Sequence, residues 1–176
     1  MRYVAFLRGI NVGGHKIIKM QDLCSIFESL GFTNIKTYIQ SGNVLFDSSE
    51  KDTGALSSKI ESGLGKKLGY KVNVLLQTMD KIQNIVRSNL FRKIKLNGDT
   101  KAYLTFLSSK PSGLKFPIES KNKDVEVINI KDNAAFCLAH KVNGKFGFPN
   151  LFIEKQFKMP ATTRNLTTVE KIASMG

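Results

Sequence analysis

The sequence predicts an α+β fold made of two ferredoxin-like or related subdomains with mainly antiparallel sheets. In the first half of the 176 residues, strand and helix patterns follow the order β-α-β-β-α-β. This is the order of the ferredoxin-like motif, in which two helices cover one face of an antiparallel sheet. The second half begins the same order again and repeats it in part. We therefore place one subdomain, with a linking helix, at residues 1–88 and another at 89–176, and expect one compact unit.

The elements of the first half follow from the spacing of apolar residues. They are, in order, a strand at 4–7, a helix over 20–30, a hairpin over 35–46, a helix over 56–68 and a strand at 71–77. Gly31 ends the first helix, and Gly63 and Gly65 weaken the C-terminal half of the second. The hairpin turns at residues 40–43, with one continuous bent strand as the alternative.

The elements of the second half are less regular. They are a helix over 79–86 capped by Thr78, a strand at 102–107, at most a short helix over 110–117, a hairpin over 125–140 and a short helix over 151–157. Pro111 and Pro117 limit the helix between them. The tail from Met159 resembles the start of a last helix, with Thr163 or Asn165 as its N-cap. The order repeats the first half, so structural duplication is a hypothesis, although the side chains do not repeat clearly.

The net charge of +13 is the strongest signal in the composition. Residues 1–88 carry 12 basic and 7 acidic side chains, and residues 89–176 carry 15 and 7, with the densest basic stretch at 87–101. This balance indicates affinity for a polyanion such as nucleic acid, or a solvated lysine-rich surface. The apolar runs are strand-sized and the start of the chain lacks a signal-peptide pattern, so we expect a cytoplasmic protein with no membrane partner.

The cysteines and histidines do not predict a metal site or a cofactor. Cys24 and Cys137 each lie within an apolar pattern, which is typical of reduced core residues. Neither His15 nor His140 has the spacing to a cysteine that zinc sites use. We predict no metal and no cofactor, and the oligomeric state stays open.

Three stretches combine glycine or small polar residues with asparagine and, in the first and last, arginine. They are Leu-Arg-Gly-Ile-Asn-Val-Gly-Gly at 7–14, Thr-Tyr-Ile-Gln-Ser-Gly-Asn-Val-Leu-Phe at 37–46 and Ala-Thr-Thr-Arg-Asn at 161–165. Taken together and in this order, they resemble the bacterial family of unknown function DUF1697. The resemblance covers almost the whole chain and implies an α+β protein of two subdomains. It implies no particular reaction.

The same three stretches form the candidate ligand site. Glycine lets backbone N–H groups approach a ligand, arginine offers a bidentate contact to phosphate or carboxylate, and serine or asparagine gives directional hydrogen bonds. The candidate residues are Arg8, Gly9, Asn11, Gly13, Ser41, Asn43, Arg164 and Asn165. If they converge, they bind a small phosphate-like or nucleotide-like anion. Alternatively, they are turn formers and caps that hold the fold together.

No catalytic motif is present, so whether the protein is an enzyme stays open. The glycine loop is neither a Walker A motif nor a dinucleotide fingerprint, because the required spacing is missing. His15, beside the glycines, is a candidate acid or base, whereas Ser41 has no identifiable base. The alternatives to anion binding are a basic nucleic-acid-associated protein and a structural or interaction module without a small ligand. Tyr3, Tyr38 and Phe46 do not form a convincing stacking surface for RNA.

Overall fold

The fold is α+β, as predicted. The computed structural model describes residues 1–14 and 16–176, and within them it has five helices and two antiparallel sheets. The chain divides into two compact units: the first comprises Met1–Asp80 and Gly176, and the second comprises Lys81–Met175. The boundary predicted after residue 88 falls later in the chain than the division at Asp80, at the end of the helix Met79–Ser88.

The first unit has the ferredoxin-like order. Its elements are β1 (Arg2–Leu7), α1 (Met20–Ser29), β2 (Thr33–Tyr38), β3 (Asn43–Asp47), α2 (Thr53–Leu68) and β4 (Val74–Thr78). The strands form an antiparallel sheet in the order β2-β3-β1-β4. The hairpin prediction is therefore correct, and the bent single strand is excluded. α3 (Met79–Ser88) follows β4 directly.

The core of the first unit follows from the two periodicities in its sequence. Alternate residues of β1, including Tyr3 and Leu7, point to the face where α1 and α2 supply buried residues at helical spacing. α2 keeps its helical form through Gly63, and a Cβ at this position would lie 2.8 Å from the Leu30 side chain. The glycine therefore permits close packing between α2 and the end of α1.

The second unit is organised around a larger antiparallel sheet. Its elements are β5 (Thr100–Leu107), β6 (Ile118–Glu119), β7 (Val125–Lys131), β8 (Ala134–Val142), β9 (Lys145–Phe146), α4 (Pro149–Phe157), β10 (Ala161–Asn165) and α5 (Leu166–Ala173). The strand order is β10-β5-β8-β7-β6, and β9 pairs with β8. Ile153 of α4 packs into the core on one face of this sheet.

The duplication hypothesis is supported by topology and by hydrogen bonding. The order β10-β5-β8-β7 repeats β4-β1-β3-β2. In each unit the strand that comes last in the chain, β4 or β10, leads directly into a helix. The Leu7 N–H donates to the Gly42 carbonyl at 2.8 Å, and the Leu107 N–H donates to the Asn133 carbonyl at 2.8 Å. Both bonds join the end of the first strand to the tip of the hairpin. The units therefore share one strand framework despite their different side chains.

The structure decides two details of the second half, and the second of these was predicted wrongly. No helix forms over residues 110–117, where two prolines remove backbone donors. Residues 161–165 form the strand β10 instead of a helix start, because they pair with β5 from Ala161 opposite Leu107 to Asn165 opposite Tyr103. Asn165 is nevertheless the N-cap of α5, since its Oδ1 accepts from the Thr168 N–H at 2.8 Å.

Candidate functional site: the glycine loop and the hairpin tip

The loop after β1 lies against the tip of the β2–β3 hairpin in the first unit. We call residues 8–14 and 16–19 the glycine loop and residues 39–42 the hairpin tip. β1 runs antiparallel to β3, so the end of β1 lies beside the start of β3. The bond from the Leu7 N–H to Gly42 closes this junction, and the Arg8 N–H donates to the Asn73 carbonyl at 2.9 Å. Two of the three predicted stretches therefore come together within one unit.

Asn11 fixes the shape of the glycine loop. Its Nδ2 donates to the Gln40 carbonyl at 2.8 Å and to the Ile18 carbonyl at 3.1 Å, and its Oδ1 accepts from the Ile18 N–H at 2.8 Å. Its own N–H donates to the Lys16 carbonyl at 3.2 Å. The side chain that the sequence suggested as a ligand contact thus braces the loop against the hairpin tip.

Asn43 has a similar role at the hairpin tip. The residue is fully buried, and its Nδ2 donates to the Tyr38 carbonyl and to Ser41 Oγ, both at 2.9 Å. These bonds hold the two ends of the tip together. The β7–β8 hairpin of the second unit makes its turn with Asp132 and Asn133 alone, so the first unit carries two extra residues here. The extra length provides the Gln40 carbonyl that Asn11 binds.

The outer side of the glycine loop is exposed and basic. Arg8, Gly9, Gly13 and Gly14 are all exposed, and so is Lys16. The Nζ of Lys16 lies 5.1 Å from the centroid of the Tyr70 ring. Asn11 and the three glycines have positive φ, between 53° and 76°. A braced loop of this kind presents glycine backbone and cationic side chains to solvent together.

Arg164 and Asn165, the third predicted stretch, belong to the second unit. Arg164 is 8% exposed, and its Nη1 donates to Thr162 Oγ1 at 2.8 Å and to the Thr163 carbonyl at 2.9 Å. Burial lowers the pKa of Arg164 to about 10, which still leaves the guanidinium charged at neutral pH. Thr163 Oγ1 also donates to Asn150 Oδ1 at 3.1 Å, so β10 carries a buried polar row.

The structure describes the surroundings of one of the two histidines and of both cysteines. His15, the candidate acid or base, lies outside the described residues. His140 is half-buried between Glu126, whose Oε2 is 3.2 Å from Nε2, and Thr100, whose Oγ1 is 3.4 Å from Nδ1. Cys137 is buried, and burial raises the pKa of its thiol to about 12, so it is unreactive at neutral pH.

Within residues 1–14 and 16–176, no group of three or more metal-ligating side chains is placed to hold a metal ion. None of the helices in this part of the chain is both long and apolar enough to cross a membrane.

A separate cavity of about 560 Å³ lies at the opposite end of β3 from the hairpin tip. Asp47 lines it and is tied into the fold, since Asn34 Nδ2 donates to its Oδ2 at 2.7 Å and Arg2 Nη1 donates to its Oδ1 at 3.4 Å. The bond from Asn34, with a smaller contribution from Arg2, holds the pKa of Asp47 below its usual value. This carboxylate is a structural element of the fold.

We expect Asp47→Asn to reduce the acid sensitivity of the fold. A carboxylate whose pKa is lowered on folding stabilises the protein above its unfolded pKa of about 3.9 and loses that effect as pH falls through the folded pKa. The variant should be less stable than wild type at pH 7, and the gap should close below about pH 4. Urea unfolding at pH 7 and below about pH 4 measures this difference in stability. Glu28→Gln, which replaces an exposed carboxylate, is the control. A gap that is the same at both pH values would contradict the assignment.

The fold and the loop define an α+β protein of two ferredoxin-like units whose glycine loop is braced on a hairpin tip. The chain belongs to DUF1697, a family of proteins of unknown function, since the family model matches residues 1–136. β10 and Arg164 lie beyond the matched part. The chain is also similar in fold to the conserved bacterial protein SP0830 from Streptococcus pneumoniae, with a TM-score of 0.68 and 23% identity over 99% of this chain and 97% of that one. No curated protein matches it.

Proposed function

We propose that the protein binds a small phosphate-bearing anion at the exposed side of the glycine loop. The observation that carries this proposal is the bracing of the loop by Asn11, which ties it to the hairpin tip while Arg8 and Lys16 remain exposed. A loop whose shape is already fixed loses little conformational entropy when a ligand binds, so more of the interaction energy appears as affinity. A guanidinium beside glycine backbone suits a phosphate group.

The predicted residues divide into two roles under this proposal. Arg8, Gly9, Gly13 and Ser41 contact the anion, with the arginine supplying the charge. Asn11 and Asn43 keep the loop and the tip in position, because their amides are engaged in internal hydrogen bonds. The contribution of Arg164 and Asn165 to the ligand and the cytoplasmic location stay predictions.

Calorimetric titration of the whole protein with pyrophosphate, inorganic phosphate and ADP tests the proposal. We expect at least one of these to bind and to raise the melting temperature. Arg8→Gln should weaken that binding about tenfold or more, as expected for loss of a charge-assisted hydrogen bond. Lys51→Gln makes the same charge change at an exposed site of the first unit beside the start of α2, and should have little effect.

Two results would reject anion binding at this loop. One is that none of the three anions binds or raises the melting temperature. The other is that Arg8→Gln and Lys51→Gln weaken binding equally, since this would mean that only net charge matters. A lower melting temperature of Arg8→Gln with no bound anion would instead support the structural role of the loop.

A further inference from the structure

A group of aromatic and lysine side chains, half-buried at Tyr103 and Phe146 and exposed at Lys101 and Phe148, lies on one face of the second unit's sheet. We call Lys101, Tyr103, Phe146 and Phe148 the aromatic platform. Lys101 and Tyr103 are two residues apart on β5 and therefore share a face. The Lys101 Nζ lies 4.1 Å from the centroid of the Phe146 ring. The rings of Tyr103 and Phe148 meet edge to face, with centroids 6.0 Å apart.

This face of the sheet is less completely covered than its equivalent in the first unit. There, α1 and α2 both supply the core on one face, whereas among the described residues of the second unit α4 is the helix that does so. Leu114 and Ile118, which lie outside the helices, also pack against this core, and α5 contacts β5 and β10. Phe148, immediately before α4, is 55% exposed. A large exposed aromatic that no core requires is typical of a binding surface.

The charge around the platform suits a polyanion. The lysines near it in sequence or in the sheet are exposed and are Lys93, Lys95, Lys101, Lys141 and Lys145. Four carboxylates lie near them by the same criterion: Asp99, whose Oδ1 is 3.7 Å from Lys141 Nζ, Glu170 of α5, Asp124 beside Gly147, and Glu126, whose Oε2 is 3.2 Å from His140 Nε2. The lysines outnumber the carboxylates. Because cations lie beside aromatic rings, the surface offers partners for phosphates and for bases together.

A cavity of about 530 Å³ adjoins the platform. Lys101 and Tyr103 form part of its wall, and Thr100, Asn165, Thr167 and Glu170 supply polar groups. Its volume falls in the range of about 300–1,000 Å³ that is usual for ligand pockets. The Glu170 carboxylate accepts hydrogen bonds, which suits an N–H group of a base, such as the N3–H of uracil or thymine, better than a phosphate.

We propose that this face of the second unit binds single-stranded nucleic acid. Bases stack on Phe148 and Tyr103, one base edge reaches the cavity beside Glu170, and the lysines neutralise the backbone phosphates. A duplex keeps its bases stacked inside, so it lacks the faces that this surface engages. This site shares no residue with the anion site on the glycine loop, because all of its residues belong to the second unit.

Fluorescence anisotropy with 12-nucleotide oligomers that lack a 5′-phosphate tests the proposal. We expect labelled U12 RNA or dT12 DNA to bind, and the duplex of the same length to bind more weakly; RNA over DNA would indicate contacts to the 2′-hydroxyl. Binding should weaken as salt rises, with a log–log slope of about −0.7 for each phosphate contacted.

Phe148→Ala separates stacking from charge. It should weaken single-strand binding about fivefold or more, whereas Leu151→Ala, which removes a still more exposed apolar side chain from α4, should not. Lys101→Gln should weaken binding and flatten the salt slope, and Lys131→Gln, at the far end of β7, should do neither. Circular dichroism confirms that each variant is folded.

Several results would overturn the proposal. One is the absence of binding at low salt, and another is equal affinity for the duplex and the single strand. A third is that heparin binds as tightly as U12 and that Phe148→Ala changes neither of these two affinities. The same titrations in the Arg8→Gln background separate the two sites, because the single strand should bind as it does to wild type even if no small anion binds the glycine loop.

Discussion

Gly42→Ala is expected to lower the free energy of unfolding by about 2–5 kcal/mol, a large part of the total for a domain. Gly42 has φ of 74°, a conformation that costs an L-residue about 1–2 kcal/mol. A Cβ at this position would also lie 2.7 Å from Ile10 Cδ1 and 2.9 Å from Leu7 Cβ. Crowding of this kind typically costs a further 1–3 kcal/mol or so.

Gly9→Ala is the matched control for Gly42→Ala. Its φ of 70° imposes the same backbone penalty, but no atom lies within 4 Å of the position that its Cβ would take. The difference between the two variants in urea unfolding therefore measures the crowding against Ile10. We expect Ile10→Ala to recover part of the loss in the Gly42→Ala background. If Gly9→Ala and Gly42→Ala are equally destabilised, the tip does not pack on the loop as described.

The contact between loop and tip explains which part of the site the sequence could predict. The order of strands in a ferredoxin-like unit places the end of the first strand beside the start of the third, so proximity of Arg8 and the 40–43 turn follows from the pattern. The hydrogen bonds that Asn11 and Asn43 make within the fold do not follow from this strand order. The sequence does not show whether the amide of a loop asparagine binds a ligand or a backbone carbonyl. The short distances to the carbonyls of Gln40 and Tyr38 show that both amides bind the backbone.

β10 shows where local patterns failed. Thr162, Thr163 and Arg164 are buried, yet a Thr-Thr-Arg-Asn stretch before an apolar run has the composition of a helix cap. Pairing with β5 overrides that preference, as Thr105 Oγ1 lies 2.9 Å from Thr163 Oγ1 inside the sheet. Two adjacent β-branched residues were the available signal for a strand. Asn165 was one of two residues predicted as the N-cap, and the local sequence after it was enough to suggest that role.

The order of elements suggested the duplication, but the matching residues were identified only once the strands were aligned. In the paired positions, Tyr3, Phe6 and Leu7 of β1 correspond to Tyr103, Phe106 and Leu107 of β5. The spacing Tyr-x-x-Phe-Leu occurs in both strands, but such a short match carries little weight without the topology. The aromatic platform was missed for a related reason. Phe146 and Phe148 flank a glycine before Pro149, a context typical of a turn, and their approach to β5 depends on strand pairing.

Gly147→Ala should destabilise the protein by about 3 kcal/mol or more, the largest effect expected in the second unit. Its Cβ would overlap the Asp124 carbonyl oxygen and lie 2.7 Å from both the Asp124 carbonyl carbon and Val125 Cγ2. The carbonyl cannot easily move, because it accepts from the His140 N–H at 2.9 Å and belongs to the junction of β7 and β8. Gly98→Ala, exposed and with no atom within 4 Å, should change stability by no more than about 0.5 kcal/mol.

The same substitution bears on the aromatic platform, because Gly147 lies between Phe146 and Phe148. Displacing the backbone at Gly147 moves both rings relative to Lys101 and Tyr103, whose contacts depend on separations of 4.1 Å and 6.0 Å. We therefore expect folded Gly147→Ala, assayed well below its melting temperature, to bind U12 at least as weakly as Phe148→Ala does. Near-ultraviolet circular dichroism of the aromatic residues should report the change. Wild-type stability and spectrum in Gly147→Ala would show that the chain does not pass this close to Asp124, and the ring positions inferred from that path would then be wrong.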